Sequence, residues 1–173
     1  MSSSERTFYN YQLLKRIRFN RVFMYMYLLF GAAALAASIG MSELWGIAYI
    51  GASWVVIVWI HYVIARSIFV MDRYTFKKRW IWRFNLPWIG FLPQEQQFIS
   101  IRYWRKILWH TTLISLLVLL MIMPWLPLGL SLQLFFWHLW MIAPRLYATF
   151  VAQSASKDGL IKLPAGEMSV YKA

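Results

Sequence analysis

The sequence predicts an all-α integral membrane protein with four transmembrane helices in two helical hairpins. Both termini are expected in the cytoplasm, with an interfacial amphipathic helix in the central cytoplasmic loop. Three observations predict this fold: 61% of the 173 residues are hydrophobic, they gather into four long runs, and the basic residues avoid two of the three connections. A soluble domain is closer to half apolar.

The four apolar runs have the length of membrane-spanning helices. They lie at about 22–41, 44–65, 107–124 and 126–143, and a helix needs about 20 apolar residues to cross ~30 Å of hydrocarbon. Only Ser42 and Glu43 separate the first two runs, and a short Pro-containing turn, 123–127, joins the last two. Connections this short place each pair antiparallel, which predicts two hairpins.

Charge placement orients these helices. Neither hairpin turn contains any of the 18 Lys and Arg residues, since five precede the first run, nine lie in the central loop and four follow the last run. Basic residues stay on the cytoplasmic side, so both termini and the central loop are predicted to be cytoplasmic. Ala34-Leu35-Ala36 has the form of a signal-peptidase site, but the run continues past it, which favours retention of the helix.

Five segments follow from this topology: a basic amphipathic N-terminal segment at 1–21, hairpin 1 at 22–66, a basic aromatic loop at 67–106, hairpin 2 at 107–145 and a cytoplasmic tail at 146–173. In the first segment, the helical spacing of Leu13, Leu14 and Ile17 indicates a helix lying on the membrane. A solvated basic flank is the alternative. Residues 153–173 of the tail are predicted to be an extension without its own core.

The central loop combines aromatic and basic residues. Phe76, Trp80 and Phe84 recur every four residues, which on a helix forms one stripe. Indole rings favour the headgroup level and cations attract anionic lipids. We therefore predict an interfacial helix over 73–83 that binds anionic phospholipids or an acidic partner through Lys77, Lys78, Arg79, Trp80, Arg83 and Phe84.

Small residues recur in the first hairpin at the spacing that lets helices approach closely in lipid. The helix-packing candidates are Ala32, Ala36, Gly40, Ala48 and Ala52. Two interpretations stay open. The pattern alone favours packing of the two helices on each other, and the alternative is a docking face for a partner helix.

Three histidines are the ionisable groups within the runs, and they suggest a cofactor alternative. His61, His110 and His138 are expected roughly 6 to 10 Å inside the cytoplasmic ends of their helices. Similar depth on neighbouring helices suits axial ligation of haem b, with Arg66, Arg102 or Arg105 near its propionates. The simpler interpretation is an interfacial histidine bonded to a backbone carbonyl, Thr111 or Thr112.

The residue composition and the absence of catalytic motifs argue against an enzyme and against a nucleic acid partner. The chain lacks cysteine, and it shows no acidic residue inside a run, phosphate loop or nucleophile motif, so we expect no enzyme. Its net charge of +12 suits an anionic membrane surface, and no nucleic acid partner is expected.

We expect a non-catalytic subunit of a larger membrane complex. Its predicted partners are other membrane protein subunits and anionic phospholipids, and its predicted location is the inner membrane of a bacterium. The alternatives are a bis-histidine haem b electron-transfer subunit and a small oligomeric channel or carrier. Polar residues such as Ser53, Ser115 and Gln133 are too sparse in the runs to define a channel's path.

Overall fold

Helices form most of the protein in the computed structural model, which describes residues 11–172 apart from the side chain of Ser42. The predictions made for residues 1–10 lie outside the described residues. A helical stretch from Arg21 to Met71 is interrupted by non-helical backbone at Glu43. It forms two helices, α1 (Arg21–Met41) and α2 (Glu43–Met71). Asn20 caps the start of α1, because its side chain accepts a hydrogen bond from the amide of Phe23 at 2.7 Å.

The chain reverses direction between α1 and α2. The hydroxyl of Ser38 donates to the carbonyl of Gly46 at 3.2 Å, although residues eight apart on a straight helix are about 12 Å apart along its axis. A Cβ at Gly46 would overlap the Ser38 carbonyl oxygen, so the close approach of the two helices depends on this glycine. The first predicted helical hairpin is therefore present.

Two more helices follow, α3 (Ile101–Ile122) and α4 (Leu128–Ala155), joined by a 3₁₀ turn at Met123–Trp125. α4 continues for 11 residues past Pro144, beyond the boundary predicted for the fourth apolar run. Among the described residues, three helices are long and apolar enough to cross a membrane: Arg21–Met41, Glu43–Met71 and Ile101–Trp125.

Six strands correct the expectation of an all-α protein. The elements β1 (Gln12–Arg18), β4 (Ile99–Ser100), β5 (Leu160–Lys162) and β6 (Glu167–Lys172) form one antiparallel sheet in the order β1-β6-β5-β4. The predicted N-terminal helix is thus wrong for the described part of its segment. The tail is nevertheless packed into the rest of the protein, because Ile161, Leu163, Met168 and Val170 are fully buried in a cluster that they share with residues of the helices.

The interfacial helix predicted over 73–83 is also wrong. The chain turns after α2 and then forms a β-hairpin from β2 (Trp80–Asn85) and β3 (Trp88–Pro93), in which Trp80 pairs with Pro93 and Asn85 with Trp88. Aromatic and β-branched residues favour strands once a partner strand is available. The four-residue spacing of the aromatic residues therefore did not indicate a helix.

The buried apolar residues form two clusters. One lies where the sheet and the β-hairpin meet the helices, and includes Phe69, Trp80, Trp88, Trp104 and Leu163. The second lies between the helices and consists of Ile57, Leu119, Leu134, Trp137 and Met141.

Candidate functional site

Two of the three histidines contact each other between helices α2 and α4. His61 on α2 and His138 on α4 are 5% and 0% exposed. Their rings cross at 72° with centroids 5.2 Å apart, and Nε2 of His61 lies 3.0 Å from Nδ1 of His138. This distance and geometry correspond to a hydrogen bond between the rings, in which one ring donates and the other accepts.

The histidine pair leaves two buried nitrogens without a partner among the described residues, Nδ1 of His61 and Nε2 of His138. If His61 donates to His138, Nδ1 of His61 is an acceptor. If His138 donates, Nδ1 of His61 carries the proton and is itself a donor. The two tautomers therefore present opposite chemistry to whatever lies beside His61.

Arg145 lies on α4 beside this pair and is 6% exposed. Its Nη2 donates to the carbonyl of Ile89 on β3, while its Nε has no partner in the described structure. Gly90 makes this approach possible: its φ is +115°, and a Cβ there would lie 2.9 Å from Nη2 of Arg145. The sequence predicted that Arg145 belongs to a basic flank. In the structure the β-hairpin covers this residue and buries it.

A small cavity of about 20 Å³ lies next to His61 and Arg145, and it is lined by residues of α2, α3, α4 and the β-hairpin. Trp80 and Thr111 contribute to its wall, together with apolar side chains such as Leu92 and Ile107. The indole nitrogen of Trp80 is buried without a partner among the described residues. The cavity has room for about one atom of water size.

The third histidine does not join the pair. His110 is exposed on α3, and its Nδ1 lies 2.7 Å from the carbonyl oxygen of Lys106. This is the simpler interpretation given for an interfacial histidine.

The geometry bears on the haem alternative, which stays a prediction. A haem b held by both His61 and His138 would need space for its macrocycle between the two rings. His61 and His138 instead contact each other directly, and the adjoining cavity is far smaller than a macrocycle. A haem would require these helices to separate. Within the described residues, no group of three His, Cys, Asp or Glu side chains could hold a metal ion.

The six residues predicted to bind lipid or a partner do not share one surface. Lys77, Lys78, Arg79 and Phe84 are exposed, whereas Trp80 and Arg83 are 3% and 5% exposed. The guanidinium of Arg83 donates to the carbonyl of Leu163 at 2.5 Å and to Glu95 at 2.6 Å. Burial lowers the pKa of Arg83, against the opposing effect of Glu95. Arg83 therefore joins the β-hairpin to the tail.

All five helix-packing candidates are exposed: Ala32, Ala36, Gly40, Ala48 and Ala52. The buried positions of α1 include Gly31 and Ser38, which lie on the other side of the helix. We call the outward-facing set of five residues the small-residue face. Its members do not make the contact between α1 and α2, which lies instead at Ser38 and Gly46.

Sequence reasoning missed the contacts that hold α1 against α4. The hydroxyl of Tyr27 donates to the carbonyl of Trp140, and Nε1 of Trp140 donates to the carbonyl of Tyr27, both at 3.1 Å. Their rings stack at 4.0 Å, and Nε2 of Gln133 donates to the carbonyl of Ala34 at 3.1 Å. The amide of Gln133 inside an apolar run was the sequence signal for a contact between helices, because lipid offers such a group no hydrogen-bond partner.

The comparisons with known proteins find no match: no family model fits this chain, and no curated protein or solved structure is significantly similar to it. The interior site combines buried hydrogen-bond donors, one buried cation and a small cavity.

Proposed function

We propose that this chain is a non-catalytic integral membrane subunit that packs against a helix of another membrane protein through its small-residue face. The observation that carries the proposal is the exposure of Ala32, Ala36 and Gly40 on α1 and of Ala48 and Ala52 on α2. In lipid, such residues strengthen helix association because backbones can approach closely.

The packing of α1 supports this proposal. One side of α1 is attached to α4 through Tyr27, Gln133 and Trp140. The opposite side has no partner in the described chain, and nothing lies within 4 Å of a Cβ built on Gly40. One side of α1 therefore packs against α4, and the side that carries the small residues is accessible to a second protein.

The strand pairing supports four crossings with both termini on one side. β1 from the N-terminal segment pairs with β6 from the tail, and β4 before α3 pairs with β5. These three segments therefore lie at the same end of the helices. α4 has 28 residues, about 42 Å at the helical rise, which is enough to serve as the fourth crossing. The basic residues of these segments favour the cytoplasm for this end.

The exposed cations of the turn before β2 suit contact with anionic phospholipids in the same proposal. Lys77, Lys78 and Arg79 are adjacent, and Arg79 lies 5.8 Å from the ring centroid of Tyr74. Each cation near an anionic surface contributes about 1 kcal/mol. Buried Trp80 and Arg83 are not part of this lipid contact.

Co-purification tests the proposed function. The tagged protein is extracted from its native membrane in a mild detergent, and the proteins that accompany it are identified and quantified. We expect a stoichiometric partner that is lost in Ala36→Leu and retained in Ala143→Leu, since Ala143 is also exposed but lies on α4. A wild-type protein that purifies without any stoichiometric membrane partner would contradict the proposal.

A further inference from the structure

The cavity beside His61 has the properties of an anion site. We propose that it binds one monatomic anion of about the size of chloride, held by Arg145, Trp80 and His61. The inference concerns the interior of the chain and does not depend on the proposed role as a subunit.

The buried charge of Arg145 has no counter-charge among the described residues. Its side chain is buried, and the ion pairs formed by the described residues involve other cations, namely Arg16, Arg18, Arg83, Arg102 and Lys106. A buried charge without a partner costs several kcal/mol. The carbonyl of Ile89 accepts one hydrogen bond from Nη2, but a neutral acceptor does not balance the charge. An anion in the adjoining cavity would.

The buried hydrogen-bond donors of the residues that line the cavity also favour an anion. Nε of Arg145 and Nε1 of Trp80 are buried without partners in the described chain, and both groups can only donate. The neighbouring Trp104 differs, since its Nε1 donates to the hydroxyl of Thr149 at 2.7 Å. Nδ1 of His61 becomes a third donor when His138 donates to Nε2 of His61. An anion accepts from all three groups and thereby selects this tautomer.

Size defines the class of ligand. A volume of about 20 Å³ exceeds the roughly 10–15 Å³ that one water molecule needs and limits the ligand to one small monatomic ion. Phosphate, sulfate and carboxylates need more space than this. The remaining wall is largely apolar, which favours a weakly hydrated halide over a strongly hydrated ion.

Thermal unfolding of the purified protein tests the site. Sodium gluconate is replaced stepwise by sodium chloride at constant ionic strength, and the melting temperature is recorded. We expect a saturable rise in melting temperature with chloride and a similar rise with bromide, because a ligand that binds the folded state stabilises it. Trp80→Phe should remove this dependence.

Trp88→Phe is the matched control. Trp88 lies on the same β-hairpin, is fully buried and also has an unpartnered Nε1, but it does not line the cavity. The control should lose stability in both salts while keeping the response to chloride. An equal melting temperature in chloride and gluconate, or a wild-type response in Trp80→Phe, would show that the cavity holds only water.

A second measurement needs no variant. Crystals of the wild-type protein grown with bromide should show an anomalous scattering peak between Arg145 and Trp80. Bromide-containing crystals without a peak at that position would overturn the proposal.

Discussion

Nε2 of His61 lies 3.0 Å from Nδ1 of His138, and this contact joins α2 to α4 in the interior of the helices. Each ring is the other's hydrogen-bond partner, and neither ring has a second partner among the described residues. The pair lies beside the inter-helix cluster, since Ile57 on α2 and Met141 on α4 are each within four residues of it and belong to that cluster.

The two histidines should therefore contribute to the free energy of unfolding as a coupled pair, because each ring depends on the other for its hydrogen bond. We expect His61→Ala and His138→Ala each to lower the free energy of unfolding by about 1–3 kcal/mol, because each leaves a buried nitrogen unsatisfied. The double variant should lose less than the sum of the two. Denaturant unfolding in detergent measures this double-mutant cycle. His110→Ala is the control and should have little effect, and additive single effects would show that the contact is not a coupled pair.

Gly90 and Gly166 separate two effects of a side chain at a positive φ. Gly90→Ala introduces backbone strain and places a Cβ 2.9 Å from Nη2 of Arg145, whereas Gly166→Ala, at φ +70°, introduces strain with nothing within 4 Å. We expect Gly166→Ala to cost about 1 kcal/mol and Gly90→Ala to cost clearly more. Comparison of their melting temperatures provides the measurement. Equal losses would mean that the contact with Arg145 adds nothing.

Single-cysteine labelling tests which ends of the helices share a side of the membrane. The chain contains no cysteine, so each introduced thiol reports alone. Gln96 and Ala165 are exposed near the sheet, and Leu44 and Trp125 are exposed at the helical turns. We expect a membrane-impermeant reagent applied to intact cells to label cysteine at the turns only. Labelling at Gln96 from outside would contradict the proposed orientation.

The helices were predictable from sequence and the strands were not, and the difference is physical. Each helix depends on local apolar length, and the turn at Glu43 follows from two residues between long runs. The strand β1 depends on pairing with β6, in which Ile17 lies opposite Met168 and Arg18 opposite Glu167. No local pattern within 12–18 reports a partner about 150 residues away.

The site was predictable only in part, for the same reason. The spacing of the three histidines to the helix ends predicted a similar depth, but which two rings face each other depends on helix rotation. Arg145 is buried because Ile89 and Gly90 of the β-hairpin cover it, and the sequence did not predict this hairpin. The spacing of Ala32, Ala36 and Gly40 was recognised, but only the packing of Tyr27 on Trp140 shows that they point away from the rest of the chain.

Site-specific photo-crosslinking in intact cells tests whether the small-residue face contacts another membrane protein. A photo-reactive amino acid is placed at Ala36, or at Ala143 as the control, and adducts are identified by mass spectrometry. We predict one protein adduct from position 36, lost when Gly40→Leu is added, and no such adduct from position 143. An Ala36 probe that reacts with lipid alone, or equal adducts from both positions, would show that the small-residue face has no specific protein partner.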